Sequence, residues 1–273
     1  DWQVYQPDLL PPFTSVITNL FEDENNGLPS VFHNGTVNST GIVYDPVNNK
    51  LVIAYNDVNS LYGQAVVATL SGNNFNNITY GTPVTFQTGA IDDISCVYDS
   101  TNQKVVIAYS NNGGSQGQAV VGTVSGSSIS FGANSPIAPS ISGSTGVSAV
   151  YDSLNQKVVV SYGASGASNG LSTVGTVSGE TITFATSQAF TSSSISGMSS
   201  TFDSQNNKVV ISYRDGGNSQ KGTSIVGTVS GTTISFGPSS VFNNSDSRDT
   251  ASTFDTVNNK VVIAYRDGSS SFR

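Results

Sequence analysis

Two aspartates, Asp93 and Asp249, each stand six residues ahead of another aspartate, Asp99 and Asp255, that follows an aromatic residue. Three further copies of the segment hold Ser39, Gly146 and Gly197 at the same place, and Asp92 and Arg248 immediately precede the two carboxylates. Two carboxyl groups brought to about 5–10 Å apart can serve as the acid and the base or nucleophile of glycoside hydrolysis. They also offer the hard oxygen ligands that Ca²⁺ takes. A second set follows an apolar run: Asp57, Asp215 and Asp267, replaced by Asn111 and Ala164 in the other copies, with Arg214 and Arg266 just ahead of two of them. Asp57, Asp93, Arg214, Asp215, Arg248, Asp249, Arg266 and Asp267 are the candidate ligand-binding residues. The plainer alternative is a solvated rim in which Arg–Asp neighbours form local ion pairs, each worth about 0–1 kcal/mol.

Other chemistry is narrowed by what the chain holds. His33 is the only histidine, which excludes a histidine cluster for zinc and leaves it as the sole base for a Ser-His-Asp triad. No Walker loop and no GxGxxG context occurs. Cys96 is alone in the strand-like "ISCVYD" and reads as a buried structural thiol. No cofactor is expected beyond the Ca²⁺ option. The net charge of −8 argues against nucleic acid and against anionic membrane surfaces, both of which need clustered Lys and Arg. No apolar stretch is long enough for membrane insertion, and no basic segment precedes an apolar core as in a signal peptide. The chain begins at Asp1 rather than Met, as expected of a cleaved leader or a fragment.

The elements that must position these residues follow from an internal repeat. "VYDPVNNKLVIAY", "VYDSTNQKVVIAY", "VYDSLNQKVVVSY", "TFDSQNNKVVISY" and "TFDTVNNKVVIAY" place Asp45, Asp99, Asp152, Asp203 and Asp255 at spacings of 54, 53, 51 and 52 residues. An Asp ahead of a polar tetrapeptide caps a turn by accepting backbone N–H bonds. Each repeat reads as four strands. An alternating strand ends in the anchor, and a fully apolar run such as Val105–Tyr109 follows it. The third strand is of the type "QAVVGTV", and a Ser-Gly hairpin leads to the fourth, "ISF" with its extension. Four antiparallel strands in about 50 residues make a blade that must stack on neighbours, so the fold expected is an all-β, five-bladed β-propeller.

The count of five requires a shared blade. "TSVITNL" from Thr14 lies 31 residues ahead of Asp45, and "TSIVGTV" from Thr223 lies 32 ahead of Asp255. The N-terminus therefore holds the third and fourth strands of the blade whose first two strands end the chain. Residues from about Thr14 to Phe32 are expected to pair with Thr250 to Asp267, which removes two raw sheet edges. The domain runs over 14–273. Residues 1–13, "DWQVYQPDLLPPF", form an N-terminal arm that packs on the ring or docks on a partner, including self-assembly into a filament. Strand parity puts the nearly constant turns on one face and the variable loops on the other, where binding residues gather.

The repeat "VYDSxNNKVVIAYRD…GTxVVGTVSGTxISFG" resembles tandem repeats of virion and tail-fibre proteins of marine bacteriophages and of bacterial surface proteins. The wider resemblance is to five-bladed β-propellers, which include lectins and glycosidases. These resemblances imply an extracellular, cell-surface or virion location. The leading expectation is a non-enzymatic recognition or adhesion module whose variable face binds a glycan or cell-surface polymer. The alternatives are a structural subunit of an extracellular filament or virion appendage, and a glycoside hydrolase. N-x-S/T sequons at Asn34, Asn38, Asn77 and Asn243 all fall in predicted loops and are candidate glycosylation sites, although a chain this rich in Asn, Ser and Thr holds several by chance.

Overall fold

The computed structural model describes residues 30–71, 77–111, 116–138, 146–164 and 169–268. Five inner strands end at the anchors: Val37–Asp45, Ile91–Asp99, Val147–Asp152, Ile195–Asp203 and the C-terminal half of Ser240–Asp255. Each turns back within four residues, so that Asp45 pairs with Lys50, Asp99 with Lys104, Asp152 with Lys157, Asp203 with Lys208 and Asp255 with Lys260. The reversal needs a left-handed residue, supplied by Asn49, Gln103, Gln156, Asn207 and Asn259 at φ 52–57°. The anchor carboxylate holds the turn. In all five copies Oδ1 accepts from the backbone N–H groups two and three residues on, and Oδ2 accepts from an Asn side chain, at 2.6–3.1 Å.

The second strands, Lys50–Asp57, Lys104–Asn111, Lys157–Ala164, Lys208–Asp215 and Lys260–Asp267, are the apolar runs. In repeats 1–4 each lies between an inner strand and a third strand: Tyr62–Ser71, Gln116–Ser125, Asn169–Ser178 and Lys221–Ser230. The outer strand departs from expectation, because it is broken in two. Ser128–Phe131 pairs with one end of Gln116–Ser125, and Ser135–Ala138 with the other. Repeats 1 and 3 are built the same way.

Among the described residues the result is all-β: four antiparallel sheets in a propeller-like succession, almost without helix. The fourth sheet holds six strands, because Ser240–Asp255 is both the outer strand of repeat 4 and the inner strand of repeat 5. Three cores lie between neighbouring sheets, with Val67 and Ile107 in the first, Val121 and Val160 in the second, and Val174 and Ile211 in the third. Burying such a side chain on both sides stabilises by about 1.5–3 kcal/mol. Serine hydroxyls fasten successive inner strands. Ser95, Ser148 and Ser199 accept from the backbone N–H of Ala149, Ser200 and Ser252 in the following repeat, at 2.8–2.9 Å.

The N-terminal arm 1–13 and the strands expected at 14–29 lie outside the described residues. The segment that follows them, from residue 30, packs in a repeated way. Phe32 meets Tyr55 at 5.3 Å between ring centroids, the separation at which Phe86 meets Tyr109, Phe190 meets Tyr213 and Phe242 meets Tyr265. The latter three phenylalanines belong to the outer strand of the preceding repeat. Thr36 O accepts from Val58 N as Ser194 O does from Gly216 N and Asp246 O from Gly268 N. Among the described residues one flank stays open. Val67, Val121 and Val174 are at most 1 % exposed, whereas Val226 at the same place in repeat 4 is 42 % exposed.

Candidate functional site

The site builds from a β-bulge. Near its start each of four inner strands slips register by a residue, between Val37 and Thr40, Asp92 and Ile94, Ser196 and Ser199, and Arg248 and Ala251. In repeats 2 to 5 the position takes a left-handed residue, ordinarily glycine, whereas Ser39 in repeat 1 does not adopt that conformation. Gly197 has φ +51°, and Gly146, ahead of the inner strand of repeat 3, has φ +90°. Asp93 and Asp249 occupy the same position with φ +44° and +51°. This lies at the variable end, opposite the anchor turns, where Val37 pairs with Asp57, Ile195 with Asp215 and Ser247 with Asp267.

The two bulge carboxylates have unlike surroundings. Asp93 Oδ2 is buried without a hydrogen-bond partner. Burial, and then the charge of Asp92, push its acid up to about 6, against a smaller opposing effect of the Gly146 backbone N–H. Asp249 is 62 % exposed in its side chain and has Arg266 Nε 2.9 Å from Oδ2, in ion contact without hydrogen-bond alignment. Asp246, which no feature of the sequence singles out, accepts from Arg214 Nε at 2.6 Å and from Arg248 Nε at 2.8 Å. These bonds, that of Arg214 first, hold its carboxyl below the usual carboxylate range. Asp246 stands nine residues ahead of its anchor, where the other copies have Thr36, Ala90, Gly143 and Ser194, so no recurrence marked it.

Three candidates are engaged in other ways. Asp57 accepts from Asn59 N and Ser60 Oγ at 3.0 and 2.7 Å, and these bonds, Ser60's foremost, lower its acid. Asp215 accepts from Gly217 N and caps the short 3₁₀ turn Gly216–Asn218. Asp267 ends its strand opposite Ser247. Arg214, Arg248 and Asp249 share an open hollow of about 340 Å³ with Ser196 and Gly197. Among the described residues no three His, Cys, Asp or Glu side chains converge, so Ca²⁺ would depend on one or two carboxylates with backbone and water oxygens.

His33 Nε2 lies 3.4 Å from Asp57 Oδ1, but the Ser60 hydroxyl bonds Asp57 rather than His33, so no Ser-His-Asp relay forms there. The Cys96 sulfur packs on Gly41 of the preceding repeat, and burial pushes its thiol up to about 12. The expectation that all four sequons lie in loops is corrected. Asn38, Asn77 and Asn243 belong to strands, and only Asn34 lies outside one. The Asn243 amide is also committed to Ser247 Oγ at 2.9 Å.

No protein-family model matches the chain, and no curated protein does. The resemblance to virion and tail-fibre repeats thus gains no support. Solved structures do match in fold. An exo-β-1,3-galactanase from Clostridium thermocellum superposes at a TM-score of 0.51 with 10% identity, over 86% of this chain and 57% of its own. An exo-β-1,3-galactanase from Phanerochaete chrysosporium gives 0.47 at 8% identity, over 74% and 49%. AofleA from Arthrobotrys oligospora gives 0.45 at 14%, over 74% and 57%. The chain thus spans about half to three-fifths of the length of these proteins. The expectation of a non-enzymatic recognition and adhesion module is corrected at this point. The neighbour above 0.5 is an exo-β-1,3-galactanase and not an adhesion module, and at 10% identity the likeness extends to the fold alone.

Proposed function

We propose that this chain is a glycoside-hydrolase-like β-propeller domain acting on a galactan-type glycan, with Asp93 and Asp249 as its carboxyl pair. One observation carries the reading: two of the left-handed bulges hold Asp where glycine serves in repeats 3 and 4. Non-glycine residues in that conformation cost energy and gather at functional sites. The pair is also divided in the manner of acid and base. Asp93, raised to about 6, retains a proton in mildly acidic solution and is the general acid that protonates the glycosidic oxygen. Asp249, exposed and beside Arg266, is the partner that meets the anomeric centre directly or through a water. The likeness to a galactan-acting enzyme suggests the substrate class.

The same proposal includes a ring of five blades, with residues 14–29 supplying the third strand and the start of the fourth in blade 5. Phe32 against Tyr55, and Thr36 against Val58, support it, because both repeat contacts made by the outer strand of each preceding blade. The exposure of Val226 supports it as well. Released sugar from β-1,3-galactan, measured from pH 4 to 8, tests the activity. Expected is a bell whose alkaline limb falls near pH 6 and a loss of about 10²-fold or more in Asp93→Asn. Equal rates for wild type and Asp93→Asn would overturn the assignment.

A further inference from the structure

We propose that the hollow between repeats 4 and 5 is a subsite for an oxyanion carried on the sugar, a uronate carboxylate or a sulfate ester. The proposal rests on the glycan reading above and narrows its substrate class. Arg214 and Arg248 line the hollow together with Ser196, Gly197 and Asp249. Asp246 fixes both guanidiniums from behind, Arg214 through Nε to Oδ1 at 2.6 Å, and Arg248 through Nε and Nη2 to Oδ2, each at 2.8 Å. Arg214 Nη2 also donates to Gln220 Oε1, and since a guanidinium has five N–H donors in a planar fork, each still has donors to offer a ligand. Held in place beforehand, the pair loses little side-chain entropy when a carboxylate or sulfate binds in bidentate fashion.

Counting Asp246, the two cations of the lining face two carboxylates, of which Asp249 has a further cation of its own in Arg266. Gly197 lets the two bulges approach closely, since a Cβ there would come within 2.9 Å of Asp249 N. The arrangement is particular to this junction. At the places of Arg214 and Arg248, repeat 2 has Ser110 and Asp92, and repeat 3 has Gly163 and Thr145. Among the described residues, Arg214, Arg248 and Arg266 are the arginines, and all three are in repeats 4 and 5. Of the six lysines, Lys50, Lys104, Lys157, Lys208 and Lys260 sit beside the anchor turns at the opposite end, and Lys221 pairs with Asp215 at the variable end. A chain of net charge −8 thus gathers the guanidiniums of its described residues at one corner of its variable end.

The test titrates the full chain with trigalacturonate, a sulfated galactose trimer and neutral galactotriose, following the arginine side-chain N–H signals by NMR and affinity by calorimetry. Expected are shifts of Arg214 and Arg248 with an anionic trimer, and binding about tenfold tighter than galactotriose at low salt, a preference that high salt erodes. The trimer that binds tighter tells carboxylate from sulfate. Arg248→Gln should abolish the preference, and Arg248→Lys, which keeps the charge but loses the fork, should retain only part of it. Asp93→Asn should leave the preference intact. Equal binding of charged and neutral trimers, binding of neither, or a preference that survives Arg248→Gln in the folded protein overturns the subsite. An anion preference without hydrolysis of any glycan would instead remove the glycosidase reading and leave the subsite standing. Hydrolysis of neutral galactan with no anion preference would do the reverse.

Discussion

Asp93 holds an ionisable group in a strained backbone position and out of water. Asp93→Gly would relieve both costs, since Gly197 already serves at that place in repeat 4. The expected outcome is a melting temperature equal to or above that of the wild type, with hydrolysis lost. A matching fall in stability would mean that the carboxyl is structural. The pH dependence has a definite sign. The acid is raised from 3.8 to about 6, so between these values the native state keeps a proton that the unfolded chain has released. Stability should therefore fall as pH rises through that window and level off above it. Allowing for partial exposure, the loss is about 1–2 kcal/mol, and it should be absent from urea titrations of Asp93→Asn. Position alone drew attention to Asp93 and Asp249 in the sequence. What was not legible is that the position is left-handed, although Gly146 and Gly197 in sister copies were the signal of it.

At the scale of the element, the anchor turn is the unit most readable from composition, because its chemistry is local. An Asp, an Asn three residues on and a left-handed Asn or Gln contain the whole turn. Asp152→Ala should cost about 1–2 kcal/mol by denaturant unfolding, through three lost hydrogen bonds to a buried carboxylate. Ser148→Ala should cost about 1 kcal/mol, since it leaves the N–H of Ser200 without its acceptor between repeats 3 and 4. Neither the break in the outer strand nor the strand membership of Asn38, Asn77 and Asn243 could be read beforehand. Both depend on register against a neighbouring strand, which the local sequence does not encode.

For the whole molecule, repeat arithmetic set the succession of units, and the described residues carry it from repeat 1 to repeat 5. The proposed closure between the first and last units rests on residues 14–29. Under the proposed closure, a chain lacking residues 1–29 should melt lower and associate as concentration rises, because Val226, Val262 and Ile42, 42 %, 45 % and 60 % exposed in the described residues, would lack the cover that the proposal assigns them. A truncated chain that stayed monomeric at the wild-type melting temperature, by light scattering and calorimetry, would argue against closure. The strand Ser240–Asp255 bears on a different property. Because one unbroken ribbon of sixteen residues edges one sheet and begins the next, tension drawn through it loads both units at once. Pulled from its ends, the molecule should not yield these two units separately. The last of them should rupture together with its predecessor, in a single longer extension than either neighbour gives alone.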